Sequence, residues 1–343
     1  MTSRNGTQEH APSVLEVSDL TVGFPMERAR VGLAVDGLNL EVRAGETLGI
    51  VGESGSGKSV SLRALLGIVP SPGRVLGGRA IWKGQRDLLQ LSRSELREVR
   101  GKEIAMVFQD PKESLDPVYS IGDQLIETLT KRRGQSRRDA KARAAELLEK
   151  VGIPSAGRRL RDYPHQLSGG MRQRVMIAIA IACEPALLLA DEPTTALDVT
   201  IQDQILSLLE ELQEESGMAI VLVSHDLGVI AGACDKVAVM YAGRIVELGG
   251  VDQVVAGPRH PYTGGLLATV PAPAGTVGPR LEAIPGQPPS IGDLPEGCSF
   301  APRCHFSSDA CQAIGGALDD RSDGHLSACP FVNVSEHHDR AII

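Results

Sequence analysis

The stretch Gly52-Glu53-Ser54-Gly55-Ser56-Gly57-Lys58-Ser59 has the spacing G-x-x-x-x-G-K-S/T, and the chemistry served by that spacing is the holding of a polyphosphate. Glycines let the main chain wrap around an anion at a distance that side chains would block, so that successive backbone N–H groups point into one hollow. The lysine that follows can reach the β- and γ-phosphates, and the next hydroxyl can ligate Mg²⁺. Lys58 and Ser59 take those places, with Ser54, Gly55, Ser56, Gly57 and Val60 making the cradle around them. The flanks are the ones this chemistry needs. Glu46 to Val51 reads as a short buried strand, and Val60 to Leu66 has the apolar spacing of a helix start, which sets the anion at a helix N-terminus. The expected ligand is ATP with Mg²⁺.

Further groups that could act on the same ligand lie downstream. Ala186 to Ala190 is an apolar run that ends in Asp191-Glu192-Pro193, a strand delivering two carboxylates to its tip. Asp191 is placed to hold Mg²⁺ through water, and Glu192 to accept a proton from an attacking water. Gln109 leaves the apolar run Ile104 to Phe108, a place from which an amide can sense Mg²⁺ or water. His225 follows the core strand Met218 to Val223 and can hydrogen-bond a γ-phosphate. Leu167-Ser168-Gly169-Gly170-Met171 precedes an apolar helix; Ser168 as N-cap, followed by two glycines, leaves first-turn N–H groups open to a second anion. Phe24, at the end of a strand over 14–24, can stack on an adenine, or serve as a core residue there.

Behind these groups the elements alternate. Residues 14–24 and 33–42 read as strands, residues 112–181 as largely helical, and 136–151 as an amphipathic helix with Ala140, Ala144, Leu147, Leu148 and Val151 inward. A helix over 199–216 carries the stripe Ile201, Ile205, Leu208, Leu209 and Leu212, and strands over 237–241 and 244–247 close the sheet. The stretch between Gly67 and Lys102 is mixed, and 271–297 is a Pro- and Gly-rich connection. With 343 residues, 42% of them hydrophobic and 23% charged, the chain can bury a full core. A net charge of -8 and 3% aromatic residues argue against a nucleic-acid surface. The basic cluster Lys131, Arg132, Arg133, Arg137, Arg138, Lys141 and Arg143 is accordingly expected to be a solvated helix face. No apolar run reaches the length of a membrane span and the first residues are polar, so the expected place is the cytoplasm. Cys183 and Cys234, each alone in an apolar segment, are expected to be buried.

Taken in order, the P-loop, Gln109, Leu167 to Met171, Asp191-Glu192, Ala196-Leu-Asp198 and His225 resemble the motifs of an ABC-transporter ATPase subunit over residues 14–250. The resemblance implies an α/β cassette, a RecA-like core with a mixed sheet plus a helical subdomain at about 112–181, in a domain over 14–257 behind a flexible 1–13. It also implies a dimer in which Ser168, Gly169 and Gly170 hold the partner's nucleotide in trans, while Lys58, Ser59, Gln109, Asp191, Glu192 and His225 serve the chain's own. The signature usually ends in Gln where this chain has Met171, which resembles the peptide-importer branch. Arg259-His-Pro-Tyr-Thr263, Ile284 to Pro289 and Gly297-Cys-Ser-Phe-Ala-Pro-Arg-Cys304 are similar to the C-terminal extension, here 258–343, of oligopeptide, dipeptide and nickel importers, closest to their D-type ATPase. The implied activity is ATP hydrolysis driving peptide uptake, with nickel or another small solute as the alternative cargo. The implied partners are a second ATPase subunit, two membrane permeases and an extracytoplasmic binding protein, with this chain at the cytoplasmic face of the membrane. A soluble ABC ATPase of DNA repair or translation is the competing class; the single uninterrupted cassette, without a sustained heptad stretch, speaks against it.

Cys298, Cys304, Cys311 and Cys329 crowd into the extension with gaps of five, six and seventeen residues. In a cytosolic chain such a set suggests a metal or cluster ahead of disulfides. The gaps lack the C-x₂-C pairs of a structural zinc site and suit a 4Fe–4S cluster at least as well; zinc and four reduced thiols are the alternatives, and the resemblance favours the cluster. Its expected role is to staple a small tail, with redox sensing as the sharper alternative. His305 and His325 lie near but are not needed as ligands.

Overall fold

The computed structural model describes residues 11–27, 30–195, 197–270, 283–313, 316–320 and 323–330, leaving aside the side chains of residues 112 and 113. Most of the expected N-terminal tail, Ala196 and part of the 271–297 connection lie outside them. In chain order the elements are β1 (Ser13–Pro25), β2 (Val31–Arg43), β3 (Thr47–Val51), α1 (Lys58–Leu65), β4 (Arg74–Trp82), β5 (Arg86–Asp87), α2 (Arg93–Val99) and β6 (Ile104–Val107). Helices α3 (Pro111–Ser114), α4 (Ile121–Arg133), α5 (Arg137–Lys150), α6 (Ala156–Arg159) and α7 (Gly169–Ile181) follow, then β7 (Leu187–Asp191), α8 (Val199–Ser216), β8 (Ala219–Ser224) and α9 (Leu227–Ala233). The last are β9 (Lys236–Tyr241), β10 (Arg244–Gly250), α10 (Val251–Ala256), α11 (Pro261–Ala268), β11 (Asp319–Asp320) and β12 (Leu326–Ser327).

Two compact units divide the chain: one of Met1–Val14, Val42–Glu46 and Leu91–Leu222, the other of Leu15–Glu41, Thr47–Gln90 and Val223–Ile343. In the first, β6 pairs in parallel with β7, Ile104 opposite Leu187 through Val107 opposite Ala190, and β8 is the other neighbour of β7. Every residue of β7 is buried, as expected of a parallel strand covered on both faces, whose sequence is then a continuous apolar run. Helices α4, α5 and α7 pack on one another. Their starts are set by small polar caps: Ser120, Ser136 and Ser168 accept from the N–H of Asp123, Asp139 and Met171, each satisfying a first-turn donor that the helix leaves orphaned. Gly134 closes α4 and Gly217 closes α8 in the left-handed conformation that L-residues avoid.

In the second unit β3 pairs in parallel with β9, and β9 turns at Ala242-Gly243 into antiparallel β10. The far edge of β10 is covered by β12, which pairs in turn with β11. A separate sheet has the order β2-β1-β4-β5, with β1 antiparallel to β4 and Leu15 opposite Trp82. The C-terminal extension therefore shares a unit with the P-loop and extends its sheet.

Several sequence expectations need correction. The mixed stretch after Gly67 holds β4, β5 and helix α2, where Ser92 and Glu95 cap each other's backbone N–H groups. The helical region is five short helices separated by turns. Ile201 is only half-buried, so the inward stripe of α8 is Ile205, Leu208, Leu209 and Leu212. Cys183 and Cys234 are half-buried rather than buried. The basic cluster needs no correction: it faces solvent, and four of its seven members pair with carboxylates, Lys131 with Glu127, Arg133 with Glu184, Arg137 with Asp123, and Arg143 with Glu146 and Glu184.

Candidate nucleotide site

The second unit carries the P-loop. Gly55 and Gly57 have φ of 80° and 104°, a region that glycine enters without steric cost. At Gly57 a Cβ would lie 2.2 Å from the carbonyl oxygen of Ala34 in β2, and at Gly52 one would lie 2.1 Å from that of Met240 in β9, so the loop is pressed against a strand of each sheet. Helix α1 begins at Lys58, which puts Lys58 and Ser59 in its first turn. The Lys58 side chain is buried, and its ammonium donates to the carbonyls of Gly52 at 2.6 Å and Glu53 at 2.9 Å. It lies folded across the hollow of its own loop, with Ser54 and Gly55 exposed at the rim. The Ser56 hydroxyl is buried in that wall with no hydrogen-bond partner. An orphaned buried hydroxyl beside a lysine and a helix N-terminus fits a polyphosphate, which brings acceptors and negative charge together. Phe24 is half-buried at the end of β1, its ring against Gly73, where a Cβ would come within 2.5 Å of it. His225 is exposed just past β8.

The first unit carries the carboxylates. Asp191 is fully buried as the last residue of β7. Glu192 follows with φ of 46°, a left-handed turn that few non-glycine residues take, and is half-buried. Its Oε2 accepts from the Gln109 amide at 3.1 Å and from the Thr195 hydroxyl at 2.8 Å. The structure thus joins Gln109 to Glu192, two residues that the sequence suggests separately. It adds Thr195, which sequence reasoning missed; the signal available was the hydroxyl pair directly after Asp191-Glu192-Pro193. Ser168 caps α7 through Met171 at 3.3 Å, as its spacing predicts. Gly170 is where α7 meets α8: a Cβ there would stand 2.7 Å from Ile201.

The extension has its own polar centre. Glu247 is fully buried in β10 and accepts from the N–H of Arg259 at 2.7 Å and of His260 at 2.9 Å, and bonds His325 Nε2 at 2.7 Å. Arg259 in turn holds Asp323, whose carboxyl is drawn down to about 2 chiefly by that hydrogen bond. Burial depresses His260 to about 4, in keeping with its Nδ1 accepting from the Tyr262 N–H at 3.1 Å. Arg303 makes a two-pronged pair with Glu53, its Nη1 2.6 Å and its Nη2 3.0 Å from the two carboxylate oxygens.

The spacing of the four cysteines in the extension predicts that they gather around a cluster. Among the described residues no three His, Cys, Asp or Glu side chains stand together as a metal-binding group, and all four thiols are free of disulfides. The Cys298 N–H donates to the Cys311 carbonyl at 2.9 Å, and burial pushes the Cys298 and Cys304 thiols up. As placed, these side chains do not fit a four-thiolate ligand set. His325, not needed as a cluster ligand, is engaged with Glu247.

Comparison with known proteins gives the family of the chain. The ABC transporter family matches residues 35–195, and the oligopeptide/dipeptide transporter C-terminal region matches residues 246–311. The chain is 49% identical over 329 residues to the oligopeptide transport ATP-binding protein OppD of Salmonella typhimurium, covering 95% of this chain and 97% of that one. It is 49% identical over 319 residues to the dipeptide transport ATP-binding protein DppD of Escherichia coli, covering 93% and 97%. Among solved structures, a dimeric bacterial ABC transporter cassette superposes with a TM-score of 0.62 at 30% identity, over 69% of this chain and 98% of the other.

Proposed function

Because the chain belongs to the ABC transporter ATPases, in their oligopeptide/dipeptide branch, and is the ATP-hydrolysing subunit of a peptide importer, we propose the following division of labour among its residues. Lys58, the Ser56 hydroxyl and the loop amides bind the β- and γ-phosphates of ATP, while Phe24 stacks on the adenine. Ser59, Gln109 and Asp191 hold Mg²⁺, which supplies charge neutralisation on the phosphates. Glu192 takes a proton from the attacking water, and His225 donates to the γ-phosphate. Ser168, Gly169 and Gly170 face the nucleotide of a second ATPase subunit, in a heterodimer bound to two permeases at the cytoplasmic face of the membrane and fed by a solute-binding protein.

The observation that carries the catalytic part is the Glu192 carboxylate, held by the Gln109 amide and the Thr195 hydroxyl. A base fixed by two side-chain donors is oriented before water arrives, and Gln109 links it to any group that senses Mg²⁺. No helix among the described residues is long and apolar enough to cross a membrane, which suits a subunit that reaches the bilayer through permeases. The number and spacing of the four cysteines suggest a 4Fe–4S cluster, but as placed they form no ligand set and no cluster is assigned to them; iron analysis and the visible spectrum of anaerobically purified chain test this.

The deciding experiment purifies the tagged chain from membranes in mild detergent. Co-purification of two permeases, a second ATPase and a binding protein, with ATPase activity stimulated by di- or oligopeptides, is the expected result. Stimulation by nickel alone moves the cargo to the metal; a chain recovered without permeases overturns the import assignment.

A further inference from the structure

The geometry points to Arg303 as a positioning residue for ATP binding, acting through Glu53 on the turn that presents Lys58. This role rests on residues 52–60 being the ATP cradle. Glu53 is the first variable residue of the P-loop pattern, a position at which the pattern makes no demand. Yet each of its polar groups is held by a different part of the second unit. Its N–H donates to the Tyr262 hydroxyl in α11 at 2.8 Å, its carbonyl accepts from Lys58 at 2.9 Å, and its carboxylate takes both prongs of Arg303. Glu53 is the joint between the C-terminal extension and the lysine that reaches the phosphates.

Arg303 is built for that hold. Its side chain is 5% exposed, its Nε donates to the Pro285 carbonyl at 2.8 Å, and Nη1 also donates to the Tyr241 hydroxyl at 3.3 Å. The guanidinium lies 5.8 Å from the Tyr241 ring centre and 5.9 Å from that of Phe300, within reach of cation–π attraction. Tyr241, Tyr262 and Phe300 pack ring against ring, at 4.6 Å for the two tyrosines and 5.3 and 5.4 Å to the phenylalanine. An arginine fixed by a carbonyl at its Nε and by aromatic rings beside it has one direction left for its fork, and Glu53 occupies it. A planar fork on a carboxylate fixes orientation as well as distance, which an ammonium cannot do.

A brace on the empty loop acts equally on bound ATP and on the transition state, so its loss raises KM while leaving kcat comparatively untouched. The test measures steady-state ATP hydrolysis against ATP concentration for the full-length chain with its partner subunits. The variants are R303K, E53Q and the double substitution, with K58A as a control on the cradle. The expected result is a KM raised about five- to tenfold in each single variant, with kcat falling less than KM rises. The double variant should match the larger single effect, because both remove one interaction. Unchanged KM in E53Q, which keeps the size and shape of the side chain, overturns the inference, as does a double effect equal to the product of the singles. An R303K variant that loses only thermal stability overturns it too. Failure of the ATP cradle itself looks different: K58A would then hydrolyse ATP with the KM and kcat of wild type, and the role of Arg303 would fall with it.

Discussion

Glu192 and Glu247 are both glutamates of strand segments that enter hydrogen-bond networks, and the two networks are of different kinds. Glu247 sits in mid-strand, fully buried, with both oxygens taken by backbone N–H groups and one shared with an imidazole. Glu192 sits just past a strand end, half-buried, and accepts from two side chains that can swing. Main-chain donors fixed by a helix entry stabilise a carboxylate in place and give it nothing further to do. Side-chain donors beside solvent orient a carboxylate and still let water approach. The first arrangement is how an extension is fastened; the second is how a base is kept ready.

The contrast breaks most visibly at its catalytic end. Glu192→Gln should lower ATP turnover of the assembled importer by about 10²- to 10⁴-fold, the range for loss of a general base, while nucleotide binding followed by fluorescence persists. Turnover within a few-fold of wild type would place the base elsewhere. At the fastening end, Glu247→Ala leaves two N–H groups and His325 without their acceptor. It should cost about 3–5 kcal/mol in chemical denaturation, the scale for stripping one partner from a buried ionic network. A cost near zero would show that the network is ornamental.

Acid sharpens the contrast. In the folded chain His260 titrates at about 4, below the ordinary 6.5 of a histidine. Between those values the unfolded chain binds the proton that the folded chain refuses. Stability is therefore complete above about pH 6.5, falls as pH drops through the window, and levels near pH 4, with a total loss on the order of 3 kcal/mol at about 1.4 kcal/mol per unit. His260→Asn, which keeps an acceptor for the Tyr262 N–H, should flatten that slope in a denaturation series. The smallest effect belongs to Thr195→Val, which removes one donor from Glu192 without changing shape. Turnover should fall about three- to tenfold, matching a hydrogen bond of roughly 0.5–1.5 kcal/mol, with KM for ATP unmoved.

What can be read in the sequence follows the same division. The P-loop, Ser168 as a cap and the buried strand before Asp191 are legible because local rules dictate them: glycine for close approach, a small hydroxyl before a helix, an unbroken apolar run for a covered strand. The Glu247 centre is not, since a lone glutamate within Ile245-Val-Glu-Leu248 reads as a solvent-facing position of a strand, and only the far-off partners at 259, 260 and 325 make it interior. Ile201 and the two solitary cysteines mislead for a related reason; apolar neighbours in sequence do not say how much of a side chain the next element covers. Thr195 and Arg303 lie inside or beside plain motifs, but no spacing rule says which carboxylate a hydroxyl or a guanidinium will meet.

The brace on Glu53 comes from a residue 250 positions later in the chain. A ribosome adding about 5–20 residues per second takes roughly 12–50 s to travel that distance. For that time a nascent chain carries the complete P-loop pattern without the arginine that holds its first turn. The nucleotide cradle is thus among the first motifs to be synthesised and among the last to be finished, and a chain that stops short of Arg303 keeps the whole signature while losing its support.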